Sequence, residues 1–198
     1  MKTQIVISIK IFAFFTILCG IVYPLFITGI AQIAFPAKAN GSLIVRENKV
    51  IGSGLIGQKF DSENYFWSRP SATDYNPMPS GGSNYGPTSS KLKQLVADRT
   101  ALWMKSNPTS DTEKIPSEML LASASGLDPH ISPKAALLQV DRIVKARNLS
   151  DSQKQQLLKS ISELSEAPQF SFLGEAHINV LALNLKLDQL NGKLSNNK

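Results

Sequence analysis

Two residue types that build chemical sites are nearly missing from this chain of 198 residues: it has one cysteine, Cys19, and two histidines, His130 and His177. A closed zinc site of Cys and His is thereby excluded, and a metal centre would have to be assembled from distant carboxylates. No cysteine follows position 19, which suits an oxidising compartment without requiring one. The phosphate-cradling pattern Gly-Lys-Ser/Thr is missing too, because the Gly192-Lys193 pair runs into Leu194. Ser90-Lys91-Leu92-Lys93 matches the S-x-x-K of serine acyl enzymes. So does Ser195-Asn196-Asn197-Lys198 in the tail, and the accompanying S-D-N and K-T-G elements are absent. Asp128-Pro129-His130 reads as a turn leading to a helix cap at Ser132. Basic stripes are lacking as well: 21 Lys and Arg against 15 Asp and Glu are dispersed along the chain, so protein partners are expected and nucleic acid is not.

What is present begins with a charge-free stretch between Lys10 and Lys38. A spanning helix needs roughly 20 apolar residues, so a transmembrane helix is expected over 11–35. Lys2, Lys10 and Ala37-Lys38-Ala39 give it some features of a cleaved signal, but the apolar part is about twice an h-region of roughly 7–15 residues. A retained anchor is the reading, with Cys19 a structural thiol in mid-span. Ala13, Thr16, Gly20, Pro24, Thr28 and Ala31 step down one face, the small-residue pattern by which helices approach closely in lipid. No Asp, Glu, Lys, Arg or His lies in the span, so it is not expected to carry ions itself. Lysines and arginines flank both ends almost equally. A short basic start and a long cysteine-free remainder favour the N-terminus inside and the domain outside. The expected layout is a short cytoplasmic N-terminus (1–10), the helix (11–35), an extracytoplasmic globular domain (38–190) and a frayed tail (191–198).

Within the domain the fold class is α+β, a small β-sheet with several helices. Leu43-Ile44-Val45 and Val50-Ile51 predict a hairpin around Arg46-Glu47-Asn48, and Gly52, Gly54 and Gly57 predict bends. Tyr65-Phe66-Trp67 reads as a short strand or packed edge. Residues 68–90 are rich in Pro, Gly, Ser and Asn, the composition of a loop, yet they carry Arg69, Tyr75, Met78 and Tyr85; a long ordered loop in a compact domain is often functional. A helix is predicted from a Ser89-Ser90 cap to about Ser106, and another starts at Ile115-Pro116-Ser117. Ser132-Pro133 is an N-cap hydroxyl followed by proline at the first helical position. Ser150 and Gln153 form a capping box for a helix over 151–164. Residues 177–181 are either a strand or the opening of a final helix.

Several of these stretches, in order, carry a resemblance. Gly52-Ser53-Gly54-Leu55-Ile56-Gly57-Gln58 is followed by Tyr65-Phe66-Trp67-Ser68-Arg69-Pro70-Ser71-Ala72-Thr73, Tyr75-Asn76 and Ser80-Gly81-Gly82-Ser83-Asn84-Tyr85-Gly86-Pro87-Thr88. Then come 122–132, ASASGLDPHIS, and 179–184, NVLALN. With the N-terminal span, this resembles the C chain of the Kdp-type potassium-transporting ATPase, nearly end to end. The resemblance implies a non-catalytic subunit of a high-affinity potassium uptake complex in the cytoplasmic (inner) membrane. Its partners would be a channel-like potassium-binding chain and a P-type ATPase chain. It would act as an assembly factor and catalytic chaperone that raises the pump's affinity for ATP, with ATP and potassium handled by the complex and no cofactor held by this chain. The missing Asp-Lys-Thr-Gly phosphorylation motif and Gly-Tyr-Gly filter agree with that division of labour.

Two docking surfaces follow as expectations: the small-residue face of the span, and loop 65–88, with Tyr65, Phe66, Tyr75 and Tyr85 as anchors, Arg69 as a bidentate contact and Ser80, Gly81, Gly82, Ser83 and Asn84 between them. The competing use of Arg69 and the tyrosines is to tie the loop to its own domain. Ser80-Gly81-Gly82-Ser83 also resembles the Gly-rich signature of transport ATPases, which makes it a candidate nucleotide contact, although such tracts are more often plain turns. The rival class is a membrane-anchored binding module or enzyme of the cell envelope, unrelated to transport.

Overall fold

The computed structural model describes residues 2–46, 48–107 and 114–190, which fall into two compact units, Met1–Ser53 and Gly54–Lys198. The first unit is dominated by one helix of 33 residues, Lys2–Ala34, long and apolar enough to cross a membrane. It starts at Lys2 rather than at Ile11 because nothing before Gly20 interrupts it. Within it, α1 (Lys2–Ile17) and α2 (Tyr23–Ala34) are joined by a π-helical turn, Leu18–Val22. Proline physics accounts for that turn's position. The ring of Pro24 removes a donor and collides with the carbonyl four residues back, that of Gly20, and the wider turn relieves it. Phe35 then leaves helical geometry, Pro36 opens the short α3 (Pro36–Ala39), and the Asn40 side chain donates to the Pro36 carbonyl at 2.8 Å.

The expected hairpin forms. Strands β1 (Leu43–Arg46) and β2 (Lys49–Ser53) are antiparallel, pairing Leu43 with Ser53 and Arg46 with Lys49, with an irregularity between Ile44 and Val45 opposite the Gly52 region. Arg46 extends the ladder instead of turning. Asn48 takes the left-handed conformation (φ 60°) that asparagine tolerates, and Glu47 lies outside the described residues.

The second unit packs short helices around an apolar core. Helix α4 (Ser90–Ser106) starts where the Ser89 hydroxyl accepts the Leu92 N–H, and a 3₁₀ turn (Ser117–Met119) stands where a helix was expected to begin. Ser132 caps α5 (Pro133–Leu137), α6 spans Val140–Arg147, and α7 (Asp151–Leu164) opens with the full Ser150–Gln153 capping box. Both readings of 177–181 hold in turn: β4 (Ile178–Asn179) pairs antiparallel with β3 (His130–Ile131), then α8 (Val180–Leu190) follows, the Asn179 side chain accepting the Ala182 N–H. The described strands therefore make two separate two-stranded ribbons, not one sheet. Phe66, Trp103, Ile143, Leu157, Leu183 and Leu187 fill the core, and burying each such side chain contributes about 1.5–3 kcal/mol. The expected tail, 191–198, lies outside the described residues.

Candidate docking platform

Asn64 and Tyr65 lie in a turn and bend, residues 66–70 belong to no helix or strand, and no described strand pairs with them. Side chains from the helices supply the ladder instead. The Asn184 amide of α8 accepts the Phe66 N–H at 2.8 Å and donates to the Phe66 carbonyl at 3.0 Å, so one side chain does the work of a neighbouring strand residue. The Trp67 N–H goes to Gln139 Oε1 at 2.7 Å. On α6, Arg142 donates to the Tyr65 carbonyl and Arg147 to the Asn64 carbonyl, each at 2.7 Å. The Arg142 guanidinium lies 4.1 Å above the Trp67 ring and that of Arg147 4.6 Å from the Tyr65 ring. Burial pushes Arg142 down to about 10, so it stays charged at neutral pH and the Trp67 face meets that charge. Arg147 also pairs with Asp188 at 2.8 Å, the carboxylate to which the Tyr65 hydroxyl donates.

Beyond Trp67 the loop folds against 122–130, so the two longest family-like stretches meet. Arg69 Nη1 donates to Asp128 Oδ2 at 2.7 Å, and the His130 N–H donates to Asp128 Oδ1 at 2.9 Å. Burial alone would raise the Asp128 carboxyl, but the hydrogen bonds from His130 and Arg69, with the Arg69 charge, outweigh it and hold it at about 2. Ser71 Oγ accepts the Thr73 and Tyr75 N–H groups, the Tyr75 hydroxyl donates to the Arg69 carbonyl, and burial pushes that phenol up to about 12. Ser123 donates its N–H to Pro70, and Gly81 donates to Ser125.

Two glycines are required by closeness. A Cβ on Gly57 would stand 2.6 Å from the Asp128 carbonyl oxygen, and Gly126 takes φ +71° with a Cβ site 2.7 Å from Thr73 Oγ1.

The expected interface residues thus divide. Phe66 is fully buried in the core, and Tyr65, Arg69 and Tyr75 are half-buried and engaged within the unit. Gly81, Gly82, Ser83 and Tyr85 are partly covered, with the Lys91 ammonium 5.3 Å from the Tyr85 ring centre. Ser80 and Asn84 stay exposed, as do Asp74, Asn76 and Met78. Gly82, Ser83 and Tyr85 line a surface cleft of about 390 Å³ that Arg99 also borders. The Gly81 N–H, which a phosphate cradle would need, is committed to Ser125.

Sequence reasoning passed over Gln139, Arg142, Asn184 and Asp188. Asn184 closes a quoted motif, but its role depends on a segment 118 positions away.

On the long apolar helix, Ala13 and Thr16 lie on α1, Gly20 in the π turn, and Pro24, Thr28 and Ala31 on α2. The Thr16 hydroxyl donates to the Phe12 carbonyl at 2.8 Å, and a Cβ on Gly20 would meet nothing within 4 Å. The wide turn breaks the 3.6-residue period, so the two halves of this stripe are offset about the helix axis.

The sequence profile described as the K+-transporting ATPase, c chain, matches residues 5–189. A relative from Geotalea uraniireducens, named a potassium-transporting ATPase KdpC subunit, is 50% identical over 188 residues, which cover 92% of this chain and 96% of the relative. Proteins of the same name from Trichlorobacter lovleyi and Methylibium petroleiphilum are 49% and 46% identical, over 92% and 95% of this chain and 96% and 98% of their own lengths.

Proposed function

The chain belongs to the c-chain family of the K+-transporting ATPase, and from that membership we propose a non-catalytic subunit that assembles the potassium uptake complex and tunes its pump. The observation that carries this reading is the family match running through both units, membrane helix and platform alike. The partners in this proposal are a channel-like potassium-binding chain and a P-type ATPase chain. The membrane helix docks in the bilayer through its small side chains, the halves on either side of the π turn meeting different neighbours. The second unit lies outside the cytoplasm, and the exposed rim of its loop, Asp74, Asn76, Met78, Ser80 and Asn84, covers the outer mouth of the channel-like chain. Tyr65, Phe66, Arg69 and Tyr75 support that rim from beneath. In this arrangement the chain never touches cytoplasmic ATP. Its effect on ATP affinity passes through the helix or the channel-like chain, and is reciprocal: bound ATP tightens the subunit's hold on the complex by the same factor.

A single cysteine at Ser80, in a Cys19→Ala chain, tests both placements with a membrane-impermeant thiol reagent on cells whose outer envelope is permeabilised. Labelling only in the absence of the partner chains is expected. Labelling with and without partners removes the docking of this rim, and labelling only after the cytoplasmic membrane is opened puts the unit inside.

A further inference from the structure

The segment between α7 and β4 has a tip that inverts the usual order of a soluble surface. Glu166 and His177 exchange both backbone hydrogen bonds, at 2.9 and 3.1 Å, and Gln169 and Leu173 do the same at 2.9 Å, closing a narrow stem. Its backbone is satisfied internally, yet its apolar side chains face solvent: Phe170 is 81% exposed, Phe172 76% and Leu173 50%. Phe170 and Ser171 both have positive φ, 52° and 67°, the pattern of a type I′ turn that favours Asn-Gly. A phenylalanine in the left-handed region is a costly choice, and such choices gather where a side chain must be presented in one direction.

We propose that the Phe170–Phe172–Leu173 tip is an anchor that inserts into an apolar pocket, rimmed by Lys or Arg, on a membrane-embedded chain of the same transport complex. Charge selects this occupant. Exposed Glu166 and Glu175 stand on the stem, the Glu166 carboxylate 3.8 Å from the His177 ring, and no Lys or Arg occurs between Lys159, itself paired with Glu163, and Lys186. Interfacial insertion into an anionic bilayer draws on Lys and Arg, so this collar disfavours lipid. A second copy of the tip would bring glutamates against glutamates across an isologous contact. A basic-rimmed pocket answers both halves of the surface. Area selects a tethered partner. Two phenylalanine rings bury about 150–250 Å² each, well short of the roughly 1,000 Å² expected of an interface that stands alone. A chain held by its own helix in the same membrane meets its partner at high effective concentration, where a small anchor suffices. The inference rests on membership of the complex but not on which side of the membrane the second unit occupies.

The test places a photoreactive benzoylphenylalanine at Phe170, and separately at the exposed Leu137 of α5 as a reference, in cells making the full complex. Irradiated membranes are then purified through another chain of the complex. An adduct between this chain and a membrane-embedded chain from position 170, at several times the yield from 137, is expected. The Phe170→Ser/Phe172→Ser chain should be retained about tenfold less, the loss typical of a hot-spot anchor. An adduct only with lipid or with a second copy, no adduct, or undiminished retention of the serine variant overturns the proposal while leaving the subunit reading intact. If the unaltered chain itself fails to co-purify, both fall.

Discussion

Loop 65–88 and the hairpin at 166–177 are both irregular, and they solve opposite problems. The first is polar and rich in glycine and proline, yet it is pulled inward: its backbone is held by Asn184, Gln139 and Arg142, and its one exposed large apolar side chain is Met78. The second closes on its own backbone, with the His177 ring edge-on to that of His130, and turns its phenylalanines out. Composition therefore says little about order. What decides it is where the backbone N–H and C=O groups find partners, and those partners can lie far away in sequence or entirely within the segment.

The sharpest way to break the first region is Asn184→Ala. It strips partners from both the N–H and the carbonyl of the fully buried Phe66, and each orphaned group costs about 1–3 kcal/mol, so a loss of about 4 kcal/mol is expected. Denaturant unfolding of the full chain in detergent measures it. A loss under 1 kcal/mol would mean water replaces the amide and the helix-borne ladder is dispensable.

That ladder also marks the limit of what the sequence displays. The caps at Ser89, Ser132 and Ser150–Gln153 are local signals, readable because donor and acceptor sit three residues apart. Tyr65-Phe66-Trp67 has a strand's composition but forms no described strand. Its partners are the side-chain amides of Asn184 and Gln139 and the Arg142 guanidinium, which no strand pattern encodes. The motifs that resemble the family turn out to be neighbours in space, Arg69 with Asp128 and Gly81 with Ser125, a contact their order along the chain does not display. The hairpin at 166–177 escaped notice altogether, because a short stem with two left-handed residues carries neither helical nor strand periodicity.

A second cut separates glycines that composition cannot. Gly57→Ala forces a methyl to 2.6 Å from the Asp128 carbonyl, backbone against backbone, and should cost about 2–3 kcal/mol, whereas Gly81→Ala meets nothing within 4 Å and should cost under about 0.5 kcal/mol. Equal losses in the same unfolding experiment would show that Gly81 packs more tightly than its open surroundings indicate.

The platform should also lose stability in acid. Asp128 is held at about 2 in the folded chain against 3.8 for its ordinary value. A depressed carboxyl contributes its full stabilisation above the unfolded value, and loses it as pH falls from about 4 through about 2. Discounted for partial solvent exposure, that contribution is about 1–2 kcal/mol. Asp128→Asn should flatten the stability profile in this window, and an unchanged profile would move the acid sensitivity to other carboxylates.

The smallest effect has the opposite sign and belongs to the hairpin. Phe170→Asn with Ser171→Gly installs residues suited to positive φ, so the full chain should gain about 0.5–1 kcal/mol even as it loses an aromatic ring. A gain is possible only because the ring is solvent-exposed and packs on nothing that folding needs. If the double variant is instead destabilised, Phe170 supports its own unit and the two regions are less different than their exposure indicates. If it is stabilised while its retention in the complex falls, the left-handed turn is a cost borne by the free chain for a surface used only in assembly, the usual form of a trade between stability and function.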